Sequence, residues 1–487
     1  MRYNYGHLIG SMSALLMISV QAQTATIDKN SNSNGSPSVR PVEPVRIQLD
    51  PKTVVSRIAP DFIGFGYETS ITAVTNYFSS NNTTLIQLYR NLSPHGLIRI
   101  GGNVSDHTQY VPDGTRAAHA DSGVTIINQD SLAELGGFVR ATGWKVLWTL
   151  NLGTGSKEAA VEEAMAVGAR LGNYLHSFEI GNEVDLRGGY QNTYTNYDGY
   201  YSYYANYKAA IRAALPHAVF SGPDVANKMD WVKSFAGTEA RDIKLLLCHY
   251  YRTGARKPEA TMENLLKTDD AWIGKLKQLQ QICKENKASF RVNEVNSFYG
   301  GGKPGESDTF GSALWCLDYM FLLAAGGCNG VNMETDINQM AWVSHYSPIF
   351  RDAAMHLTAR PEYYGMLAFA MAGKGDLLKL ALDKGDINLT AYATRDEQGF
   401  LWVTVINKDR ARDASLEAGL PNGCVAADAF WLRAPSVESK DHVTFAGAGV
   451  AADGNWPPGV PERVPVKDGV ARLTLPHASA VVLRMRQ

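Results

Sequence analysis

The sequence predicts an α/β protein: a (β/α)8 TIM barrel followed by an antiparallel β-sandwich domain that an N-terminal strand completes. Three observations carry this. From about residue 60, eight short apolar runs alternate with amphipathic stretches, the rhythm of a parallel barrel. Beyond about Gly375 helical periodicity gives way to alternating runs between Gly, Asp and Pro turns, as in a sandwich. Ahead of the barrel, Val45-Arg46-Ile47-Gln48-Leu49 alternates apolar and polar residues with no local partner, so it needs a sheet elsewhere.

Taken in order, residues 1–22 read as a signal peptide. Arg2 precedes a short apolar core from Leu8 to Val20, and Val20-Gln21-Ala22 offers small residues for cleavage. The core is too short and interrupted for a membrane span of ~20 residues. Residues 23–44, rich in Ser, Asn and Pro, predict a disordered linker. Residues 45–58 supply two short strands to the sandwich, 59–375 the barrel, and 376–487 the rest of the sandwich.

The eight barrel strands are read at 62–67, 97–101, 145–150, 178–181, 218–222, 245–249, 290–293 and 330–333, with helical stretches such as 158–171, 203–214 and 273–283 between them. An open doubly wound sheet is the competing arrangement. No Gly-x-Gly-x-x-Gly turn follows the first strand, which argues against it. In the second domain, strands are read at 387–394, 400–407, 471–475 and 480–485.

Composition limits the function. The 487 residues are 45% hydrophobic and 19% charged, with 46 Lys and Arg against 48 Asp and Glu. A net charge of −2 lacks the basic excess of a nucleic-acid binder. Five scattered cysteines, without Cys-x-x-Cys spacing, read as buried thiols. No His/Cys cluster has metal-ligand spacing, and no cofactor or metal is expected.

The chemistry concentrates at strand ends. Glu183 follows the fourth strand in Gly181-Asn182-Glu183, and Glu294 closes the seventh in Val292-Asn293-Glu294. Strands of a barrel run parallel, so both carboxylates belong to its C-terminal face. Two such groups ~5–5.5 Å apart serve a retaining glycosidase, one as nucleophile and one as proton donor. Asn182 offers an amide to the hydroxyl beside the reacting carbon. After Glu294 comes Tyr299-Gly300-Gly301-Gly302, where glycines let backbone N–H groups converge on an anion. The Lys-Ser/Thr of a phosphate loop is missing. Weaker candidates are Tyr67, Glu68, Asp106 and Tyr346, for which a structural hydrogen bond is about as good a reading. Trp148, Trp315 and Trp342 are considered for the cavity wall, with core packing favoured for Trp315. The tyrosine-rich run from Tyr194 to Tyr207 fits either a cleft wall or a barrel helix.

Ile180-Gly181-Asn182-Glu183, the run from Glu294 to Gly302 and the barrel-plus-sandwich layout resemble the heparanase-like β-glucuronidases, glycoside hydrolase family 79. The resemblance covers most of residues 45–487. It implies Glu183 as acid/base and Glu294 as nucleophile. Tyr299 with the Gly300 and Gly301 amides would bind the sugar carboxylate, for which Tyr346, by its place after the eighth strand, is a weaker second candidate donor. Tyr250 or Tyr251 would donate to the nucleophile, and Asp106 would hold distal sugar hydroxyls. Val184 departs from the Pro often found after the acid/base. The expected protein is a periplasmic or secreted retaining β-glucuronidase acting on a glucuronic-acid-containing glycan or glycoside, with no nucleic-acid or membrane partner. Alternatives are an endo-acting heparanase-like enzyme, another retaining glycosidase of the same clan, or a non-catalytic carbohydrate-binding barrel. Only Arg187, Arg252, Arg256, Lys257 and Lys303 supply basic residues near the site, which leans toward exo action.

Overall fold

The computed structural model describes residues 42–118, 123–186, 194–335, 344–421 and 423–486. The proposed signal peptide, nearly all of the proposed linker, Arg187 and Trp342 lie outside them. Eight strands, Ile63–Glu68, Leu97–Gly101, Lys145–Leu150, Leu175–Ile180, Phe220–Val225, Ile243–Gly254, Phe290–Tyr299 and Val331–Glu334, form a closed parallel barrel. The eighth strand closes it by pairing Val331 with Ile63 of the first. Helices such as Gln129–Thr142, Lys157–Leu171 and Asp270–Asn286 lie between strands. Each of these three begins at an Asn, Ser or Asp whose side chain accepts an N–H of the first turn.

Two strands run further than their apolar cores suggest. The seventh does not break at Glu294 but continues to Tyr299, paired with an equally extended sixth strand as far as Gly254. A register shift between Val292 and Glu294 marks a bulge. Such a bulge re-aims the side chains around it, so Glu294 sits on a kinked but still paired strand. Polar residues fill much of the barrel. Near its lower end Arg291 donates to Asn332 Oδ1 and to the carbonyls of Asp61, Phe62 and Val331. Gly64 makes room for it, since a Cβ there would stand 2.6 Å from the guanidinium.

The N-terminal segment is one strand, Val42–Ile58, rather than two, and it begins within the stretch expected to be linker. It pairs antiparallel with Gly375–Asp383 and parallel with Asp413–Gly419. This second sheet has ten strands, mostly antiparallel, and it closes on itself where Ala426–Arg433 pairs with Ser479–Arg486. Val45, Ile47 and Leu49 enter its core beside Leu389, Val403, Val405 and Leu483, while Arg46 and Gln48 face out. The strand thus needs partners that lie over 300 residues away in the chain.

Helix Phe310–Ala325 joins the two domains. Its Asp318 accepts from Thr390 Oγ1 at 2.6 Å, from the Tyr392 hydroxyl at 2.8 Å and from Lys408 Nζ. Phe321 stacks on Tyr392 with ring centroids 4.9 Å apart. The Lys408 side chain is almost wholly buried, so removing its partner strands a charge. Asp318→Ala should therefore lower stability by roughly 3 kcal/mol, read as a lower urea midpoint, and Lys408→Met in the same chain should restore part of it.

Candidate active site

A cavity of about 430 Å3 opens at the C-terminal end of the barrel. Glu68, Glu183, Glu294 and Glu334 line it, together with Asn103, His249, Tyr251, Tyr299, Gly300 and Tyr346. Each comes from a strand end or the loop that follows, which is where a parallel barrel presents side chains to open space.

The organising residue beneath the cavity is Arg99, on the second strand and fully buried at 0% exposure. It donates to Glu179 at 2.7 Å, Asp224 at 2.9 Å, Glu294 Oε2 at 2.6 Å and Asn182 Oδ1 at 2.7 Å. Burial alone would pull its pKa down, but the facing carboxylates of Glu179, Asp224 and Glu294 hold it well above the ordinary value. The second oxygen of Glu294 accepts from the Tyr251 hydroxyl at 2.9 Å. Both oxygens of Glu294 are thereby fixed.

Glu183 follows the fourth strand with φ of +45°, a left-handed conformation that costs a non-glycine residue about 1 kcal/mol or more. Its Oε1 lies 3.2 Å from His249 Nδ1, and His249 Nε2 lies 2.9 Å from Asp224. Burial and the charge of Glu294 raise the pKa of Glu183 even against its bond to His249. Burial opposes charge on His249, yet Asp224 and Glu294 outweigh it and hold the ring's pKa well above its usual value. Asp224, despite burial, is kept below the ordinary carboxylate range by His249 and Arg99.

Glu183, His249 and Glu294 place one oxygen or nitrogen each within 4.8 Å of one another. A cationic imidazole with both nitrogens facing carboxylates has no lone pair to give a metal. The trio is better described as a cation set between Glu294 and a Glu183 carboxyl of raised pKa. One oxygen of Glu183 accordingly stands within 4.8 Å of one of Glu294.

The remaining expected residues divide. Asn182 lies buried under the cavity, its Oδ1 on Arg99 and its Nδ2 donating to Asn103 Oδ1 at 3.0 Å. Tyr299 is 51% exposed and meets Tyr251 edge-on with centroids 6.2 Å apart. Gly300, at φ of +86°, shares the cavity wall with it. Gly301 is buried behind, its carbonyl accepting the His345 N–H at 2.6 Å. Tyr346 is buried in the wall and stacks on Tyr251 at 6.1 Å.

Tyr250 does not donate to Glu294. Its hydroxyl goes to Asp269 at 2.8 Å, among Trp272 and Tyr319, because neighbouring residues of a strand face opposite sides. Tyr251 takes that place. Asp106 does not line the cavity. Its Oδ1 accepts the Leu152 N–H at 3.3 Å and its carbonyl binds Thr154. Glu68 lines the wall, its Oε2 accepting the Val104 N–H at 2.8 Å, with burial raising its pKa to about 8. Tyr67 is core, bonded to Tyr89. Trp148 packs outward against Glu163, and Trp315 stacks on Tyr319. In the tyrosine-rich run, Tyr200 and Tyr204 pack a barrel helix onto Trp231 and Phe235. Of the basic residues, Arg252 is paired with Asp269 and Lys303 with the Ala260 carbonyl.

Sequence reasoning passed over Arg99, Asp224, His249 and Glu334. Arg99 was visible as a lone charge inside Leu97-Ile98-Arg99-Ile100, and Glu334 as a carboxylate directly after Met333, the same signal that singled out Glu183.

Fold and site together define a class: a closed β/α barrel with two close carboxylates at its C-terminal face and a sheet domain attached. Solved structures of this architecture include a 4-O-α-L-rhamnosyl-β-D-glucuronidase from Fusarium oxysporum. It has a TM-score of 0.73 at 18% identity and matches over 90% of this chain and 99% of that one. The α-L-arabinofuranosidase of Thermotoga petrophila has a TM-score of 0.69 at 17% identity, over 91% and 100%. At such identities these likenesses show the fold.

In sequence, the chain is similar to the β-glucuronidase of Aspergillus niger, 27% identical over 351 residues, which is 64% of this chain and 63% of the relative. It is also similar to rat heparanase, 28% identical over 165 residues, or 32% and 30%. The likeness to heparanase-like β-glucuronidases implied by the motifs is thus found in whole-sequence comparison, although the chain matches under two thirds of the relatives' length. No family model matches the chain.

Arg99 is the group the site depends on. Arg99→Lys keeps the charge but cannot reach four partners with one ammonium. Turnover of any substrate should fall at least about a hundredfold, since a buried charged hydrogen bond lost in the reacting state is worth about 3 kcal/mol. Steady-state kinetics on an activated glycoside measures this, with circular dichroism verifying that the barrel has folded.

Proposed function

We propose that the protein is an exo-acting retaining β-glucuronidase that releases terminal glucuronic acid by double displacement. The observation that carries the reading is the pair Glu183 and Glu294, with one oxygen of each within 4.8 Å. That approach supports a retaining pair, whose carboxyl groups stand ~5–5.5 Å apart, over an inverting pair at ~6.5–9.5 Å.

Glu294, oriented by Arg99 and Tyr251, attacks the anomeric carbon. The bond to the aglycone oxygen breaks, and that oxygen takes the proton of Glu183. The raised pKa of Glu183 keeps this proton available. Once Glu294 is an ester, its charge no longer raises the pKa of Glu183. Glu183 then accepts a proton from water as the water attacks the same carbon, freeing the sugar and Glu294. His249 accompanies both stages as a cation beside the two carboxyls.

For the sugar, support comes from the named relatives and from the cavity wall at Tyr299 and Gly300, a phenol followed by a glycine turn. The described cavity lining contains no Lys or Arg, which favours a single terminal uronate over a long sulfated polymer. Export to the periplasm or the medium rests on the signal-like residues 1–22. Chromogenic glycosides run beside heparan and hyaluronan oligosaccharides test the whole reading. Monosaccharide product from a glucuronide supports it, whereas internal cleavage or preference for another sugar overturns it.

The two glutamates should fail differently. Glu294→Gln should lose turnover by several orders of magnitude on every substrate. Glu183→Gln should spare the first step for good leaving groups, which need little protonation, and added azide should rescue it. Equal loss on all leaving groups would contradict the roles.

Tyr299→Phe should lower kcat/KM for a glucuronide roughly ten- to a hundredfold, the value of a hydrogen bond to a charged group at ~1.5–3 kcal/mol. The matching glucoside, with a neutral hydroxymethyl there, should change little. Parallel loss on both would assign Tyr299 to support of the nucleophile.

A further inference from the structure

Glu334 ends the eighth barrel strand, and its carboxyl belongs to the cavity wall. It is 3% exposed, and neither side-chain oxygen has a hydrogen-bond partner among the described residues. A buried, unpaired polar group is costly and calls for an explanation. The fold makes space for this one. Gly66 is opposite on the first strand, and a Cβ there would lie 2.5 Å from Glu334 Oε2.

Glu334 is also fastened to the wall assigned above to the uronate. The Asn296 side-chain N–H group donates to the backbone carbonyls of both Glu334 and Tyr346, at 3.1 Å each. The neighbouring His345 N–H binds the carbonyl of Gly301. Glu334, Tyr346 and the glycine turn after Tyr299 therefore hold one another in place. No Lys or Arg stands in the described lining, and the two cations nearest that wall are already engaged, Arg99 with four polar groups and His249 with Glu183 and Asp224.

Resting on the glucuronide reading, we propose that Glu334 is a specificity residue that donates its carboxyl O–H to the carboxylate of the bound uronate. An O–H···O− bond between an acid and a carboxylate is short and charge-assisted. It recognises an anion by a neutral donor where an arginine is missing. The groups facing Glu334 are Glu68 from the first strand, Arg99 from the second, His249 and Tyr251 from the sixth, Glu294 from the seventh and Tyr346 from the loop after the eighth. Burial, with Glu294 and Glu68, raises the pKa of Glu334 well above the ordinary value against the pull of Arg99 and His249. Below that pKa the donor is present. Above it, Glu334 is a second anion facing the substrate's own.

The test is the pH dependence of KM and kcat for a nitrophenyl glucuronide and the matching glucoside. In the unaltered enzyme, KM for the glucuronide should climb by about tenfold per pH unit once Glu334 ionises, while KM for the glucoside stays flat. Glu334→Gln keeps a donor that cannot ionise. It should abolish the climb and leave the acid-side KM within about threefold of the unaltered enzyme. Glu334→Ala should raise the acid-side KM for the glucuronide about tenfold or more and spare the glucoside. A climb that persists in Glu334→Gln, or one removed only by Glu68→Gln, overturns the proposal while the sugar assignment stands. A glucuronide KM that tracks the glucoside's in the unaltered enzyme overturns it without recourse to any variant. An enzyme that takes glucosides but not glucuronides instead defeats the sugar assignment, and Glu334's role with it.

Discussion

One guanidinium ties the C-terminal end of the barrel together. Arg99, on the second strand, binds Glu179 of the fourth, Asp224 of the fifth and Glu294 of the seventh, and also Asn182 beyond the fourth. A planar fork with five N–H donors can satisfy such a set, where a point charge cannot. Burying this charge is costly, and only its full complement of acceptors offsets that cost. The arrangement is thus all-or-none: removing any one acceptor exposes the others to an unbalanced buried charge.

Around Arg99 the charges are ordered by depth. His249 forms the second cation, between Asp224 on one side and Glu183 and Glu294 on the other. These two cations account for the deep carboxylates. Glu68 and Glu334, further round the wall, have no such partners among the described residues, and burial raises both pKa values. The same cluster thereby holds Asp224 below the ordinary carboxylate range and pushes Glu68, Glu183 and Glu334 above it.

The backbone contributes as much as the side chains. The bulge before Glu294, inside the seventh strand, and the left-handed residue at Glu183, just past the fourth, break regular strand geometry at both glutamates. Asp224, at φ of +68°, adds a third departure from ordinary strand geometry within the same cluster. Such concentrations of local strain persist only where the surroundings hold them, and here the hydrogen bonds of Arg99 and His249 do so. Away from the cavity, the sheet domain braces the barrel through Asp318, and the first described strand stitches residues at both ends of the chain into one sheet.

The sequence determined what local pattern can determine. Period and turn chemistry placed the eight barrel strands, the second sheet and the need of Val45, Ile47 and Leu49 for a distant partner. Strand-end position singled out Glu183 and Glu294, because a charge directly after an apolar run must face away from the core. Local pattern could not decide which of Tyr250 and Tyr251 reaches Glu294, since that depends on the twist and extension of the sixth and seventh strands against each other. Nor could it separate Asp106, whose side chain accepts from the loop after the third strand, from Glu68, which shares the cavity. The partnerships of Arg99, His249 and Glu334 join strands far apart in the chain and exist only once the barrel closes. Distances between strands, and the electrostatics that follow from them, are properties of closure and not of any single segment.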